Sequence, residues 1–391
     1  MTIEKAALYG FRTAGSILAG RHALEQLPEK VREVGQFHRA AVIAQPSILA
    51  QGTVDRVMTG LREVGIPSFC TTEVQPEPTA ENIREVFGRI SAERPDLMIG
   101  IGGGSVLDAA KLFSVLLTDP VEVETLIGID RVARPGLPTV LIPTTSGTGS
   151  EVTPNAIVTL PEQELKVGII SRHLLPALVI LDPVLTISLP PHITAATGMD
   201  AFTHAFESLI SNKANPLSDM FAMESMRLIA GSLLQAYRDG GDLDARENML
   251  LGSMYGGMAL TAAGTAAVHA LAYPLGGKFG IPHGVANSML LPHVTAYNRD
   301  AIGARLLLAA QAMGLSGPQM TEEEAGDRVI GTLLEWTREL GIPQSLRTYG
   351  VSEEDVEALT TAALQVTRLL ANNPKAVDAE AVSGLYRKLL P

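Results

Sequence analysis

The sequence predicts an α/β domain at residues 1–190, built around a parallel sheet, and an all-helical domain at residues 191–391. The length permits two domains, because 391 residues exceed the roughly 150 that are typical of one domain. Before residue 190, short apolar runs alternate with amphipathic segments, which is typical of α/β folds. After Pro190 and Pro191 the chain becomes rich in Ala, Leu and Met at helical spacing. We therefore place the domain boundary at this Pro-Pro pair.

Four nearly continuous apolar runs are predicted to form the strands of the parallel sheet. They lie at residues 40–44, 97–101, 139–142 and 178–181. Runs of this kind, followed by turn residues such as Gly, Pro and Thr, are typical of strands that helices cover on both faces. Segments with apolar residues at intervals of three and four predict the helices. These segments are residues 53–64, 81–93 and 106–117 in the first half and residues 195–211, 217–237, 245–263, 289–294 and 322–340 in the second.

Composition and charge limit the partners of the chain. Asp and Glu number 42 against 30 Lys and Arg, and the resulting net charge of −12 is unfavourable for binding a phosphate backbone. We expect no nucleic-acid partner and, because no run of 18 apolar residues occurs, no membrane partner. The single cysteine, Cys70, precludes an internal disulfide and is typical of a reducing compartment. The start of the chain shows no export signal, so we expect a cytoplasmic protein.

A glycine-rich turn follows the second predicted strand and opens an amphipathic segment. Its residues Gly102, Gly103, Gly104 and Ser105 form a candidate phosphate site. Glycines between a strand and a helix let backbone N–H groups approach an anion, and the helix N-terminus adds partial positive charge. The turn departs from the Rossmann fingerprint, since Ser105 stands where the third glycine belongs, and it lacks the Walker ending. The alternative is a tight turn that requires positive φ.

A loop rich in hydroxyl groups, PTTSGTGSEVT at residues 143–153, follows the third predicted strand. Ligands of open α/β sheets bind beyond the carboxyl ends of the strands, so this loop is a candidate nucleotide-binding surface. One alternative is an ordinary Ser/Thr/Gly loop. Another is a nucleophilic serine, although Ser146 lacks the Gly-x-Ser-x-Gly frame that such a serine has in α/β-hydrolases.

Three histidines and an aspartate in the second half form a candidate metal site. Asp200 and His204 are four residues apart, so on a helix they project from one face, a common arrangement of two metal ligands. His269 lies in a helix-like stretch and His283 follows a Gly-rich turn. Three imidazoles and a carboxylate suit Fe²⁺ and Zn²⁺ about equally. The alternative for each histidine is a buried or exposed structural residue.

Together these motifs resemble the iron-dependent (group III) alcohol dehydrogenases, which have the dehydroquinate synthase-like fold. The resemblance covers nearly the whole chain and rests on GGGSVLDAAK at residues 102–111, PTTSGTGSEVT at 143–153, MDAFTHAFES at 199–208 and VHALAYPLGGKFGIPHGVANSMLLPHV at 268–294. It implies a Rossmann-like first domain and an all-helical second domain.

The resemblance also implies a role for particular residues. One divalent metal, Fe²⁺ or else Zn²⁺, would be bound by Asp200, His204, His269 and His283. The pyrophosphate of NAD or NADP would be held by Gly102, Gly103, Gly104 and Ser105, and the dinucleotide would be lined by Thr144, Thr145 and Thr148. Lys166 would lie near the ribose, and Asn155 near the nicotinamide and the substrate.

Three positions depart from the pattern of the family. Gln45 stands after the 40–44 run, where an acidic residue would bond the adenosine ribose, so both NAD and NADP remain candidates and NAD is slightly favoured. Tyr273 replaces a further histidine four residues beyond His269, and a phenol, with an unperturbed pKa near ~10, is a weaker proton relay at neutral pH. Leu260 replaces a Phe at the substrate mouth, which predicts a wider pocket.

The predicted function is reversible hydride transfer between a nicotinamide and a primary alcohol or aldehyde, with the metal acting as a Lewis acid. One alternative is a hydroxyacid–oxoacid transhydrogenase that retains its nicotinamide. The other is a non-catalytic nucleotide-binding protein with a degenerate site, although every proposed ligand is present. We expect a small-molecule substrate and a homo-oligomer, a dimer or larger.

Overall fold

The computed structural model describes residues 8–163 and 165–390. Its strands are β1 (Ile17–Ala19), β2 (Ala40–Ala44), β3 (Ser68–Thr71), β4 (Leu97–Gly102), β5 (Gly128–Ile129), β6 (Thr139–Pro143), β7 (Asn155–Leu160), β8 (Leu165–Ile170) and β9 (Leu178–Leu181). Its α-helices before residue 190 are α1 (Leu27–Val34), α2 (Pro46–Ala50), α3 (Thr53–Glu63), α4 (Ala80–Ala92) and α5 (Gly104–Thr118).

The helices after residue 190 are α6 (Pro191–Ile210), α7 (Pro216–Arg238), α8 (Leu243–Ala263), α9 (Ala267–Phe279), α10 (His283–Asn298), α11 (Gly303–Ala312), α12 (Glu322–Glu339), α13 (Val356–Leu364), α14 (Thr367–Leu370) and α15 (Ala379–Lys388). The predicted fold class, a parallel α/β sheet followed by helices, is confirmed. The limits of the two domains, 1–190 and 191–391, stay a prediction.

The main sheet is parallel, with six strands in the order β1-β9-β6-β4-β2-β3. The four predicted runs are its four inner strands. Every residue of β2, β4, β6 and β9 is buried, which explains why their sequences do not alternate between apolar and polar residues. The edge strands β1 and β3 are short and only partly buried, so they lack this signal.

A second, three-stranded sheet in the order β5-β8-β7 is absent from the sequence predictions. Strands β7 and β8 are antiparallel, and Asn155 of β7 pairs with Ile170 of β8. Burial alternates along part of β7, as in a strand with only one covered face. This sheet carries two of the predicted site residues, Asn155 and Lys166.

The helices after residue 190 share one apolar core in which α6 is central. Sixteen of the twenty residues of this helix are buried. Phe202 is fully buried and packs edge-on against Trp336 of α12, with ring centroids 5.1 Å apart. The predicted helices correspond to α6, α7, α8, part of α10 and α12. In the part of the chain that is described, no single helix combines the length and apolarity of a membrane span, although the bent pair of α8 and α9 does so jointly.

We expect Phe202→Ala to lower the free energy of unfolding by about 3–5 kcal/mol, because a large cavity would remain beside Trp336. Urea denaturation followed by far-UV circular dichroism measures this change. The control is Met220→Ala on α7, whose side chain is largely exposed, with an expected change within about 0.5 kcal/mol. A loss below about 1 kcal/mol for Phe202→Ala would contradict the assigned core position.

Candidate active site

A cavity of about 440 Å³ is lined by residues from both halves of the chain. The predicted site residues on its wall are Gly104, Ser105, Thr148, Asn155, Lys166, Asp200, His204, His269, Tyr273 and His283. Leu260 also lines it. Gly102, Gly103, Thr144 and Thr145 are outside the lining and belong to the same two loops, and Gln45, which follows β2, contacts Gly103. The cavity therefore joins the glycine-rich turn to the four candidate metal ligands.

The four candidate ligands converge from three helices. Asp200 and His204 lie one turn apart on α6, His269 lies in the first turn of α9, and His283 is the first residue of α10. The Oδ1 atom of Asp200 is 3.9 Å from Nε2 of His204, 3.8 Å from Nε2 of His269 and 3.7 Å from Nε2 of His283. Ligand atoms around one metal, with bonds of about 2.0–2.2 Å, are separated by roughly 3–4 Å. The ligand atoms of Asp200, His269 and His283, which all lie within 4.8 Å of one another, have the spacing of a single cation site, and His204 adjoins them through its contact with Asp200.

The protonation states of this cluster suit a cation. Burial lowers the pKa of His283 to about 3 and also lowers the pKa of His204, so both imidazoles are neutral near pH 7. Burial alone would raise the pKa of Asp200, but the nearby imidazoles and a hydrogen bond from Asn287 outweigh it and the pKa is lowered. Neutral imidazole and ionised carboxylate are the forms that bind metal ions.

Glu207 orients one of the ligands and was missed by the sequence analysis. Its fully buried carboxyl group accepts hydrogen bonds from Nδ1 of His269 at 2.6 Å and from the backbone N–H groups of Ala266 and Val268. With the proton on Nδ1, Nε2 of His269 is free to bind a metal. Glu207 lies seven residues after Asp200, on the same face of α6, and this spacing was the available signal.

Asn287 is a second residue that the sequence analysis missed. Its Nδ2 donates to Oδ1 of Asp200 at 2.7 Å and lies 3.2 Å from Nε2 of both His269 and His283. The side chain is fully buried and lies one turn after His283 on α10. Asn287 thus holds the carboxylate against the imidazoles.

The glycine-rich turn is shaped by close approach and not by left-handed backbone. None of Gly102, Gly103 and Gly104 has positive φ, so the alternative of a tight turn that requires it is wrong. A Cβ at Gly104 would lie 2.7 Å from Cγ2 of Thr148, which only glycine permits. The backbone N–H of Thr144 donates to the carbonyl of Gly102, which places the two loops side by side.

Gln45 lies beside this turn. It caps α2, and its Oε1 accepts from the backbone N–H of Gly103 at 3.3 Å. The turn opens α5, which has fifteen residues, so the positive end of a full helix dipole points at the region between the two loops. This region can hold a phosphate group.

The small sheet brings Lys166 and Asn155 to the cavity wall. The Lys166 Nζ atom is buried and lies 2.5 Å from Oε1 of Glu77. Glu77 has a left-handed backbone conformation, with φ of 52°, and its N–H donates to Oγ of Ser105. Strained residues of this kind occur where surrounding contacts fix them, often at functional sites. Glu77 therefore links the glycine-rich turn to Lys166.

Tyr273 lies one turn after His269 on α9, and its ring centroid is 5.9 Å from that of His283. Burial raises the pKa of its phenol, and the opposing charge of Arg368 does not cancel this rise. The hydroxyl is therefore protonated at neutral pH and is suited to donating a hydrogen bond.

Comparison with known proteins places this chain in a family. The model described as iron-containing alcohol dehydrogenase matches residues 14–183, and the model of the C-terminal part of the same family matches residues 194–390. Long-chain-alcohol dehydrogenase 1 of Geobacillus thermodenitrificans is 41% identical, over 94% of this chain and 93% of that protein.

Other relatives extend the match. A 1,3-propanediol dehydrogenase of Klebsiella pneumoniae is 36% identical, over 94% of this chain and 95% of that protein. A crystal structure of 1,3-propanediol oxidoreductase superposes with a TM-score of 0.94 at 34% identity and covers 98% of this chain and 100% of that chain. These matches span both the sheet and the helices that carry the site.

We expect Glu207→Gln to weaken the binding of Zn²⁺ or Fe²⁺ by about 10–100-fold, because an amide cannot accept from every donor that now surrounds the carboxyl group. Competition with a coloured chelator measures the affinity. The control is Glu224→Gln, which removes an exposed carboxylate on α7 that pairs with Arg227. An unchanged metal affinity in a Glu207→Gln protein with an unchanged melting temperature would contradict the orienting role.

Proposed function

The chain belongs to the iron-containing alcohol dehydrogenase family and is a metal-dependent oxidoreductase of alcohols and aldehydes, and we propose that a hydride passes between substrate and nicotinamide in the cavity described above. Family membership implies iron and NAD(H). The observation that carries the proposal is the convergence of one carboxylate and three imidazoles on a cavity that also reaches the glycine-rich turn.

We assign the metal to Asp200, His204, His269 and His283. Support comes from the donor set, which suits Fe²⁺ and Zn²⁺, and from the spacing of the ligand atoms, since those of Asp200, His269 and His283 all lie within 4.8 Å of one another. Nδ1 of His204 is buried and has no hydrogen-bond partner in the described structure. Nε2 of the same ring faces Asp200 and is the atom that would bind the metal. Fe²⁺ is the first candidate and Zn²⁺ the second.

We assign the cofactor to the two loops at the carboxyl ends of β4 and β6. The pyrophosphate would accept hydrogen bonds from the turn formed by Gly102, Gly103, Gly104 and Ser105. The dinucleotide would lie along Thr144, Thr145 and Thr148, with its ribose near Lys166. Gln45 has no charge to repel a 2′-phosphate and no charge to attract one, so NAD and NADP are both candidates.

When bound, the metal supplies Lewis acidity toward the substrate oxygen and the nicotinamide accepts or gives the hydride. The protein orients these groups. Asp200 and the imidazoles would hold the cation, Asn155 on the cavity wall would lie near the nicotinamide and the substrate, and Tyr273 offers a protonated hydroxyl beside His283.

Two alternatives stay open to test. A hydroxyacid–oxoacid transhydrogenase would turn over without added cofactor when given both an hydroxyacid and an oxoacid. A degenerate nucleotide-binding protein would bind NAD(P) without any alcohol-dependent reduction. The expected cytoplasmic location and homo-oligomeric state are also predictions, and the single, free cysteine supports the location.

Metal removal is the direct test of the proposed function. We expect chelator-treated protein to lose alcohol-dependent reduction of NAD(P)⁺ by at least about 100-fold and to regain it with Fe²⁺ or Zn²⁺. A panel of alcohols, measured with NAD and NADP in parallel, gives the cofactor preference. Asp200→Ala should retain little metal, and full activity in metal-free protein would overturn the proposal.

Cofactor selectivity gives a separate prediction. We expect Gln45→Asp to raise the KM for NADP by about tenfold relative to that for NAD, because a carboxylate at this turn repels a 2′-phosphate. Initial rates with each cofactor measure the ratio. The control is Gln51→Asp, an exposed change at the end of α2. An unchanged ratio would show that the adenosine ribose lies elsewhere.

A further inference from the structure

Two cationic side chains on the cavity wall, Lys213 and Arg368, have no carboxylate partner in the part of the molecule that the structure describes. The protein as a whole carries an excess of acidic residues, 42 against 30 basic ones. The remaining lysine of the cavity lining, Lys166, pairs with Glu77.

The two cations belong to one rim of the cavity. Lys213 lies in the turn between α6 and α7, and Arg368 lies in α14. Asn212 ties these segments together, because its backbone N–H donates to the carbonyl of Asn372 at 2.8 Å and its Nδ2 donates to the carbonyl of Asn373 at 2.7 Å. Both side chains are exposed to the solvent and line the cavity at the same time, as expected at its mouth.

This rim is close to the candidate metal ligands. Helix α14 packs on α9, which carries His269 and Tyr273. Arg368, Tyr273 and His283 all line the cavity, and the ring centroids of Tyr273 and His283 are 5.9 Å apart. Asn372, which is nearly fully buried, lines the same end of the cavity and has an Oδ1 atom without a hydrogen-bond partner in the described structure. A substrate that reaches from His283 to Arg368 would pass Tyr273 and Asn372.

The rim lies outside the part of the cavity wall that we assign to the cofactor. The proposed cofactor contacts on the wall, Gly104, Ser105, Thr148 and Lys166, all precede residue 190. Lys213, in the turn that follows α6, and Arg368, in α14, both come after residue 190, as do the helices with the candidate metal ligands. Their positive charge is therefore available to the substrate.

We propose that Lys213 and Arg368 form an anion subsite that binds a carboxylate on the substrate, at the end opposite to the reacting carbon. The substrates are then short hydroxyacids with a terminal alcohol and the oxoacids with the corresponding aldehyde. In oxidation the alcohol carbon loses a hydride to the nicotinamide, the hydroxyl proton is released and a C=O double bond forms, while the carboxylate is unchanged. This inference rests on the proposed function.

Pairs of aldehydes of equal length test the subsite. We compare butanal with 4-oxobutanoate and pentanal with 5-oxopentanoate, using metal-loaded protein and saturating reduced cofactor. Because a carboxylate can bind a guanidinium through two hydrogen bonds, we expect kcat/KM to favour the oxoacid by about tenfold or more at low ionic strength. This preference should fall as salt is added, since both cations are exposed.

Charge removal should act on one substrate class alone. We expect Arg368→Gln and Lys213→Gln each to raise the KM for the oxoacid by about 5–10-fold, with kcat and the neutral aldehyde almost unchanged. The control is Arg227→Gln, an exposed arginine on α7 that pairs with Glu224. Equal effects on both aldehydes, or a raised KM for the cofactor, would overturn the subsite.

A binding measurement separates the subsite from the reaction. Calorimetry with butyrate and with butanamide, on wild-type and Arg368→Gln proteins, should show binding of butyrate that depends on Arg368. Equal binding of the two probes would contradict the subsite. If neutral aldehydes are reduced and oxoacids gain no advantage, only the subsite fails. If no aldehyde of either kind is reduced, the proposed function fails, and butyrate binding still decides the subsite.

Discussion

The burial of Asp200 among three imidazoles is the constraint on which the rest of the site depends. An ionised carboxylate removed from water costs several kcal/mol unless an opposite charge compensates it. The groups that contact Asp200 in the described structure are imidazoles and the amide of Asn287, and burial lowers the pKa of two of those imidazoles, His204 and His283. A divalent cation would add a full positive charge to this cluster, because the carboxylate and the neutral imidazoles could bind it at once.

The position of the cofactor loop relative to this cluster follows from close contact between backbones. A Cβ at Gly149 would lie 2.6 Å from Cα of Gly257 on α8, and a Cβ at Gly147 would lie 2.7 Å from Cβ of Thr197 on α6. The loop after β6 therefore packs directly on the two helices, one of which carries Asp200. These backbone contacts prevent the loop from sliding over the helices. The distance between the hydride donor and the hydride acceptor would therefore be fixed.

The sequence predicted the parts of the molecule that have a strong local pattern. Strands buried on both faces and candidate ligands spaced by one helical turn, such as Asp200 and His204, carry such a pattern. Strands β7 and β8 lack a continuous apolar run, because they are only partly covered. Glu207 and Asn287 were missed for another reason. Their roles depend on which helices meet, and spacing along one helix does not show that.

The residues before and after residue 190 contribute different kinds of positive charge to the cavity. The loops before residue 190 present backbone N–H groups and a helix dipole, which act over a short range and suit a phosphate bound in contact. The helices present Lys213 and Arg368 at the mouth, in solvent, where full charges act over about one Debye length of roughly 8–10 Å. In a protein of net charge −12, this local positive field is what would attract an anionic substrate to the mouth. Its carboxylate would then stay at the polar rim, and only the uncharged end would have to reach the buried candidate metal ligands.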